Sequence, residues 1–288
     1  MNYSALIQNR KSVREFSEKK VPASVLAEVE AYYQKGCQRL VPALETELRI
    51  FGDEAKEALE GSAGYKDFLI GAPQYLVLLS AKGACAGENA GFMMEDLILK
   101  LTEMDLGSCW LTFTDSAKVK AALGIDSALD VAAIAAFGYG VKTTKRLRVN
   151  IQSMSNVDVS AQRQYFAPKH GISDMVFMNA WGSTDGLDEH IGFYDDMLWE
   201  ALYAATLSPS YLNRQPYGFV IHGGHTTLVW KEDSYTDEID GKLGLGVVLL
   251  HFTSVASQWA GKINWRLGED AVQLQLPEGC HVAASCEV

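Results

Sequence analysis

The spacing of apolar positions predicts alternating helices and buried strands along the first half of the chain. Apolar residues recur at helical spacing over residues 22–36, and residues 89–105 form the clearest amphipathic helix. Short apolar runs at residues 74–80 and 131–137 are typical of buried strands. Residues 37–70 show a mixed helix and loop pattern, interrupted by glycines. The first half is therefore expected to combine helices with buried strands.

The second half repeats this theme after a weakly patterned polar stretch at residues 150–185. A helix is predicted at residues 195–207, and strands at residues 218–222 and 226–230 pair across a Gly-Gly turn. A second helix of this half, long and apolar, is predicted at residues 243–259. Helices mixed with strands that are not adjacent in the sequence predict an α+β fold with three layers.

Composition narrows the class of protein. The 288 residues are 48% hydrophobic and 21% charged, which excludes a disordered or fibrous chain. No apolar run approaches the ~18 residues of a membrane span, so no membrane partner is expected. The net charge of −11 opposes nucleic-acid binding, and the acidic stretch 232–240 is typical of solvated surface. Five widely spaced cysteines without a C-x-x-C pair favour free thiols in the cytoplasm and argue against a metal site.

A local basic segment near the amino end is the first candidate for chemistry. Arg10, Lys11, Ser12 and Arg14 place three cations and a hydroxyl within five residues of an acidic protein. Arginine and lysine give charge-assisted hydrogen bonds to phosphate oxygens, and serine adds a small donor. The alternative is a solvated helix end, in which Ser12 and Glu15 form a capping box. The segment alone favours this structural alternative.

The second candidate is the polar loop over residues 208–217, just after a predicted helix. Its hydroxyls and amides lie between Pro209 and Pro216, and proline stiffens the backbone. Amide side chains offer donors and acceptors, which suits the edge of a heteroaromatic ring. The alternative is an ordinary helix-to-strand connection, because Ser, Pro and Asn are common in turns.

Together the two segments resemble a known family. Residues 10–16 resemble the R-R-S-x-R-x-F motif of the FMN-dependent nitroreductase family, and residues 208–219 resemble its A-P-S-x-x-N-x-Q-P-W-x-F segment. Blocks at residues 71–73, 89–110 and 135–139 follow in the family's order. The resemblance implies an α+β, three-layer nitroreductase-like fold with a central, mainly antiparallel sheet.

The position of the second motif departs from the family pattern. In the family this motif follows the first by a few tens of residues and the protein is normally a homodimer, whereas here it begins near residue 208. We therefore expect two similar halves fused into an intrachain pseudo-dimer, with residues 1–155 carrying the phosphate motif and residues 156–288 lending the flavin-covering loop. The second half lacks a clear copy of the basic motif, so one flavin site is expected per chain.

The resemblance assigns FMN-binding roles to several sets of residues. The phosphate and ribityl chain are expected at Arg10, Lys11, Ser12 and Arg14. The ring or ribityl is expected at Ser208, Pro209, Ser210, Tyr211 and Asn213, with Gln215 nearby. The backbone near the reactive nitrogen is expected at Ser108, Cys109 and Trp110, and a second phosphate contact at Lys145 or Arg146. No side-chain acid, nucleophile or metal ligand is assigned.

The resemblance also implies a reaction and partners. NAD(P)H is expected to reduce the flavin and leave, after which a small electron-poor acceptor such as a nitroaromatic or a quinone is reduced. A different class of function is a flavin-binding store or sensor without turnover, and dehalogenation or flavin fragmentation is a third option. The pseudo-dimer is expected to act as a monomer or a weak homo-oligomer.

Overall fold

The computed structural model describes residues 1–66, 68–141, 146–153, 156–162, 168–187, 196–269 and 271–288. The helices of this part are α1 (Tyr3–Asn9), α2 (Ala23–Lys35), α3 (Ala55–Leu59), α4 (Ala86–Glu103), α5 (Ser116–Leu123), α6 (Ile172–Met175), α7 (Asp196–Thr206) and α8 (Glu238–Ala260). The strands are β1 (Thr46–Phe51), β2 (Gln74–Ser80), β3 (Gly107–Leu111), β4 (Asp130–Gly138), β5 (Arg146–Ser153), β6 (Asn156–Gln162), β7 (Val176–Met178), β8 (Tyr217–His222), β9 (His225–Lys231), β10 (Arg266–Leu267) and β11 (Cys280–Glu287).

The first sheet is antiparallel throughout and has the strand order β1-β2-β4-β3. Side chains of a strand alternate between the two faces of a sheet. On β2, Leu76 and Leu78 pack in one cluster with residues of α2 and α4, whereas Tyr75 and Val77 pack in another with α3 and α5. Helices therefore cover both faces, which explains why this strand is continuously apolar.

The second sheet has the strand order β10-β11-β9-β8-β7 and is antiparallel except for the parallel pair β7 and β8. The turn between β8 and β9 uses Gly223 and Gly224 at φ values of 55° and 82°, a region that glycine enters without steric cost. On the face towards α8, the rings of Phe219 and Phe252 stack at 5.6 Å between centroids. This sheet and the helices α7 and α8 enclose the core of the second half.

Helices α4 and α8 pack against each other between the elements of the first sheet and those of the second. They pack so closely that a Cβ atom added to Gly246 of α8 would lie 2.0 Å from the carbonyl oxygen of Glu88 on α4. A Cβ atom added to Gly91 of α4 would likewise lie 2.1 Å from the carbonyl oxygen of Leu243. The glycines therefore permit backbone-to-backbone contact, which places residues of one half beside residues of the other.

Within the described residues, α8 is the one helix whose length and composition would allow it to cross a membrane. Its residues 243–256 are buried in the protein, beneath the second sheet and against α4. A core helix of a folded protein has the same apolar composition, so this helix is weak evidence for a membrane span.

The architecture confirms the predicted α+β class with mainly antiparallel sheets, and β2, β4, β8 and β9 lie at the predicted strands. The sequence pattern missed β1 in the stretch described as mixed helix and loop. It also missed β5, β6 and β7 within the polar stretch 150–185. The predicted boundary at residues 155 and 156 falls between β5 and β6 and stays a prediction.

Candidate functional site

The basic segment after α1 runs in extended form beside the first sheet. Arg10 leaves the helix at φ −61° and ψ 133°, and Ser12 forms a parallel bridge with Ser108 of β3. The amide of Val13 donates to the carbonyl of Ser108 at 2.8 Å. The alternative of a helix end with a capping box is wrong, because residues 10–16 are not helical. Pairing with β3 instead brings the segment against Ser108, which lies in the block at residues 89–110 that resembles the family.

Two cations of this segment, Arg10 and Arg14, influence the pKa of Cys109. Burial raises the pKa of the Cys109 thiol, while the charges of Arg14 and Arg10 and a hydrogen bond from Ser12 act in the opposite direction. These electrostatic contributions fall off with distance, so the three side chains lie close to the thiol. Because the net pKa is raised, the thiol stays protonated and is a packing group rather than a nucleophile. Lys11 and Arg14 are exposed to solvent, whereas Arg10 is partly buried.

The polar loop between α7 and β8 has an unusual backbone. Leu212, Asn213 and Gln215 have φ values of 47°, 57° and 47°, in the left-handed region that costs energy for residues other than glycine. Hydrogen bonds hold this shape: the amide of Gln215 donates to Ser210 Oγ at 2.9 Å, and Gln215 Nε2 donates to the Thr206 carbonyl at 3.1 Å. The loop does connect a helix to a strand, but it is held in a conformation that an ordinary connection does not need.

Lys169 holds the polar loop and senses the charge of Arg10, and sequence reasoning missed it. Its Nζ donates to the carbonyl of Ser208 at 2.7 Å and to Asn213 Oδ1 at 2.9 Å. Burial and the charge of Arg10 lower the pKa of Lys169 to about 8, against the opposing charge of Glu95. A single lysine in a polar stretch carries no motif signal, so only the folded chain identifies it.

Glu95, on α4, is fully buried and gathers partners from several elements. It accepts hydrogen bonds from Trp110 Nε1 at 2.8 Å and His251 Nε2 at 3.1 Å, and Arg10 Nε lies 3.3 Å from the same carboxylate. Burial alone would raise the pKa of Glu95, but the charge of Arg10 and these hydrogen bonds outweigh it and hold the pKa below its usual range. The carboxylate is therefore ionised and paired.

His251 of α8 extends the hydrogen-bond network from Glu95 to Ser208 of the polar loop. Its Nδ1 lies 3.1 Å from Ser208 Oγ and 3.1 Å from the carbonyl oxygen of Ala204. Both ring nitrogens of His251 therefore have polar partners, Glu95 at Nε2 and Ser208 with the Ala204 carbonyl at Nδ1. Arg10 of the first half is thus connected to Ser208 of the second half through two buried side chains. Neither was predicted, because each lies on an apolar helix face.

The remaining predicted residues are distributed around this network. Ser108 is buried beside the basic segment, and the ring of Tyr211 lies 6.2 Å from that of Tyr65. Lys145 lies outside the described residues, and only the backbone of Arg146 is described. The predicted contact of these two basic residues with a phosphate therefore stays a prediction.

The donor set fits a phosphate-bearing cofactor such as FMN. Arg10 Nε is buried and forms no hydrogen bond, although it lies beside Glu95. A buried donor without a partner costs about 1–3 kcal/mol, so an acceptor at this position would be stabilising. Arg14 and Lys169 add positive charge nearby in a chain whose net charge is −11. These groups can hold an anion and orient a polar ring edge.

Comparisons with known proteins agree on one fold. A protein-family model described as "Putative TM nitroreductase" matches residues 2–172. The structure resembles that of a "putative nitroreductase" from Thermotoga maritima, with a TM-score of 0.57, 18% identity, and coverage of 100% of this chain and 94% of that one. No curated protein matches the sequence.

Two shorter structures match about half of the chain. An FMN-dependent nitroreductase from Clostridium difficile has 20% identity and a TM-score of 0.42, covering 48% of this chain and 88% of its own. An iodotyrosine deiodinase bound to FMN and 3-iodo-L-tyrosine has 23% identity and a TM-score of 0.42, covering 54% and 98%. Because these scores lie below 0.5, the similarity of fold is argued from the Thermotoga structure alone.

Proposed function

Since this chain belongs to the nitroreductase family that its residues 2–172 match, we propose that it is an FMN-dependent oxidoreductase using NAD(P)H to reduce small electron-poor acceptors such as nitroaromatics or quinones. The observation that supports this most is the buried connection from Arg10 through Glu95 and His251 to Ser208. It brings the two motifs that resemble flavin-binding segments to one site.

In this proposal the chain binds and orients the cofactor. Arg10, Lys11, Ser12 and Arg14 hold the phosphate and ribityl chain, and Lys169 adds a fifth polar group. The contact near the ring is made by Ser108, Cys109, Trp110, Ser208, Pro209, Ser210, Tyr211, Asn213 and Gln215. Bound FMN would supply the hydride chemistry. The ordered loop would exclude water from one side of the ring.

We also propose that the chain works as two fused halves, residues 1–155 and 156–288. The two separate large sheets, built from residues 46–138 and 176–287, support this division. The close crossing of α4 and α8 then corresponds to the contact between halves.

The phosphate role is tested by replacing Arg10 and Lys11 with alanine. Loss of two charge-assisted contacts should weaken FMN affinity by at least about a hundredfold in a fluorescence titration. The matched control is Lys20→Ala with Lys35→Ala, which removes the same charge from exposed positions and should leave affinity within about twofold. Equal affinities of the two double variants would contradict the proposal, provided that circular dichroism shows both folded.

Turnover is tested on the purified, FMN-loaded protein under argon. NADH or NADPH should bleach the flavin absorbance within seconds, and an added nitroaromatic should restore it. A flavin that binds but stays oxidised would instead support a store or sensor. A protein that takes up no FMN would contradict both functions.

A further inference from the structure

A large cavity opens beside the polar loop, between the second sheet and the amino-terminal turns of α8. Its volume is about 820 Å³, within the range of small-molecule sites. Tyr211, Tyr217 and Trp230 contribute aromatic surface to its lining. The acidic stretch 232–240, which the sequence indicated as solvated surface, contributes much of the remaining lining. The cavity therefore combines aromatic surface with carboxylates.

The cavity borders the polar loop to which the proposed function assigns the flavin ring, and one hydrogen bond connects it to the end of the segment that contains Trp110. Ser210 and Tyr211 of the loop line it directly. Asp240, in the first turn of α8, accepts a hydrogen bond at 2.6 Å from Thr112 Oγ1, two residues after Trp110. A molecule in the cavity would therefore lie next to a flavin held by these segments.

The lining carries more negative than positive charge. Its carboxylates belong to Glu88, Glu232, Asp233, Asp237, Glu238 and Asp240, and its lysines are Lys231 and Lys242. Salt bridges pair two of the acids with cations, Asp233 with Arg214 and Glu238 with Lys242, and Glu232 Oε1 lies 3.0 Å from His281 Nε2. For the other three acids, no basic partner lies within 4 Å among the residues that the structure describes.

Two carboxylates of the lining, Glu88 and Asp240, are partly buried and form no salt bridge among the described residues; we call them the inner carboxylates. Glu88 Oε2 is buried and has no hydrogen-bond partner. Burial raises the pKa of Glu88, and burial together with the charge of Asp237 raises the pKa of Asp240 to about 6. Burial and the charge of Asp240 also raise the pKa of the Tyr211 hydroxyl. Burial is the largest cause for all three groups, and neighbouring carboxylates add to it for Asp240 and Tyr211, which indicates negative potential near these two groups.

We propose that this cavity is the acceptor subsite and that it selects aromatic molecules carrying a positive charge, such as pyridinium or arylalkylammonium compounds, over anionic ones. A cation would lie between the aromatic rings and the inner carboxylates, where both cation–π attraction and charge pairing favour it. An anionic aromatic would meet uncompensated negative charge at each of these positions. The assignment as acceptor subsite rests on the proposed flavin site, whereas the charge preference rests on the cavity alone.

The test compares three ligands of similar shape: 4-nitrobenzyltrimethylammonium, 4-nitrobenzyl alcohol and 4-nitrobenzoate. Calorimetry on the purified chain, without an electron donor, should give a Kd at least tenfold lower for the cation than for the anion, with the alcohol between them. The same order should appear in KM when the FMN-loaded protein reduces the three compounds. A binding difference below threefold, or tighter binding of the anion, would overturn the proposal.

Two double variants test whether the preference for the cationic ligand arises from the cavity. Glu88→Gln with Asp240→Asn keeps size and hydrogen bonding but removes both inner charges, and should reduce the tenfold preference to less than threefold. The matched control, Glu18→Gln with Glu30→Gln, removes the same charge from exposed positions and should retain the preference. An unchanged preference in the cavity variant would overturn the assignment. A preserved preference in a chain that NADH does not reduce would contradict only the proposed function.

Discussion

At the scale of single residues, Lys169 is a cation whose charge changes within an accessible pH range. Its pKa is lowered to about 8, so it is charged at pH 7 and largely neutral at pH 9. FMN affinity should therefore fall by about threefold to tenfold between these pH values, because one cation facing the phosphate segment is lost. Titration of the apoprotein with FMN at each pH measures this.

Two variants serve as controls for Lys169. Lys169→Arg keeps its charge at both pH values and should bind FMN with nearly constant affinity. Lys169→Gln can still donate towards Asn213 and should bind FMN more weakly but with no step near pH 8. A step of the same size in the Lys169→Gln variant would assign the titration to another group.

The residues that the sequence predicted and those that it missed differ in their surroundings. Arg10 and Ser208 lie in short polar segments whose composition contrasts with neighbouring helices. Glu95 and His251 are single polar residues on helix faces that are otherwise apolar, and they are 156 residues apart in the chain. Their contact depends on how two helices cross, which residue types alone do not specify.

At the scale of elements, the crossing of α4 and α8 determines whether the site can assemble. Gly246→Ala would place a Cβ atom 2.0 Å from the Glu88 carbonyl oxygen and 2.6 Å from the Phe92 amide nitrogen. Backbone atoms cannot rotate away, so the helices must separate, at a cost of about 1–3 kcal/mol or more. Urea unfolding should show this loss, and FMN affinity should fall as Glu95 moves away from His251.

The same helix offers a control for this substitution. A Cβ atom on Gly244 would meet nothing within 4 Å, so Gly244→Ala should leave stability unchanged or increase it by up to about 1 kcal/mol through helix propensity. Equal effects of the two substitutions would mean that the close approach of the helices does not limit stability.

Elements were predictable where burial made the pattern uniform. The strand β2 is apolar along its length because helices cover both of its faces. The strand β1 lies at the edge of the same sheet, pairs only with β2 within the described residues, and carries Glu47 and Arg49 on a partly exposed surface. A short, partly exposed edge strand leaves a weak hydrophobic signal, which is why it was missed.

At the scale of the whole molecule, the loop after α2 meets both central helices. The backbone amide of Gln38 donates to Asp96 Oδ2 at 2.8 Å, and Gln38 Nε2 donates to Ser254 Oγ at 3.1 Å. The hydroxyls of Tyr3 and Tyr32 also donate to Asp96 at 2.9 Å each. Tyrosines and a carboxylate meet at this loop, in contrast to the cations of the proposed phosphate segment.

The single basic segment at residues 10–14 predicts one FMN per chain. Calorimetric titration of the apoprotein should give a stoichiometry near one, because the loop after α2 offers tyrosines and a carboxylate instead of cations. A stoichiometry of two would contradict the assignment of a single phosphate segment. Mass spectrometry under native conditions provides an independent count.

Because both ligand segments belong to one chain, assembly of the site does not depend on protein concentration. In a dimer of separate subunits, lowering the concentration pulls apart the contact that completes each site, and every mutation enters both sites at once. Here Glu95 and His251 remain tethered in one molecule at any concentration. Adjacent residues of α4 also take different roles in the one chain: Glu95 connects the ligand segments, while Asp96 accepts hydrogen bonds from two tyrosines.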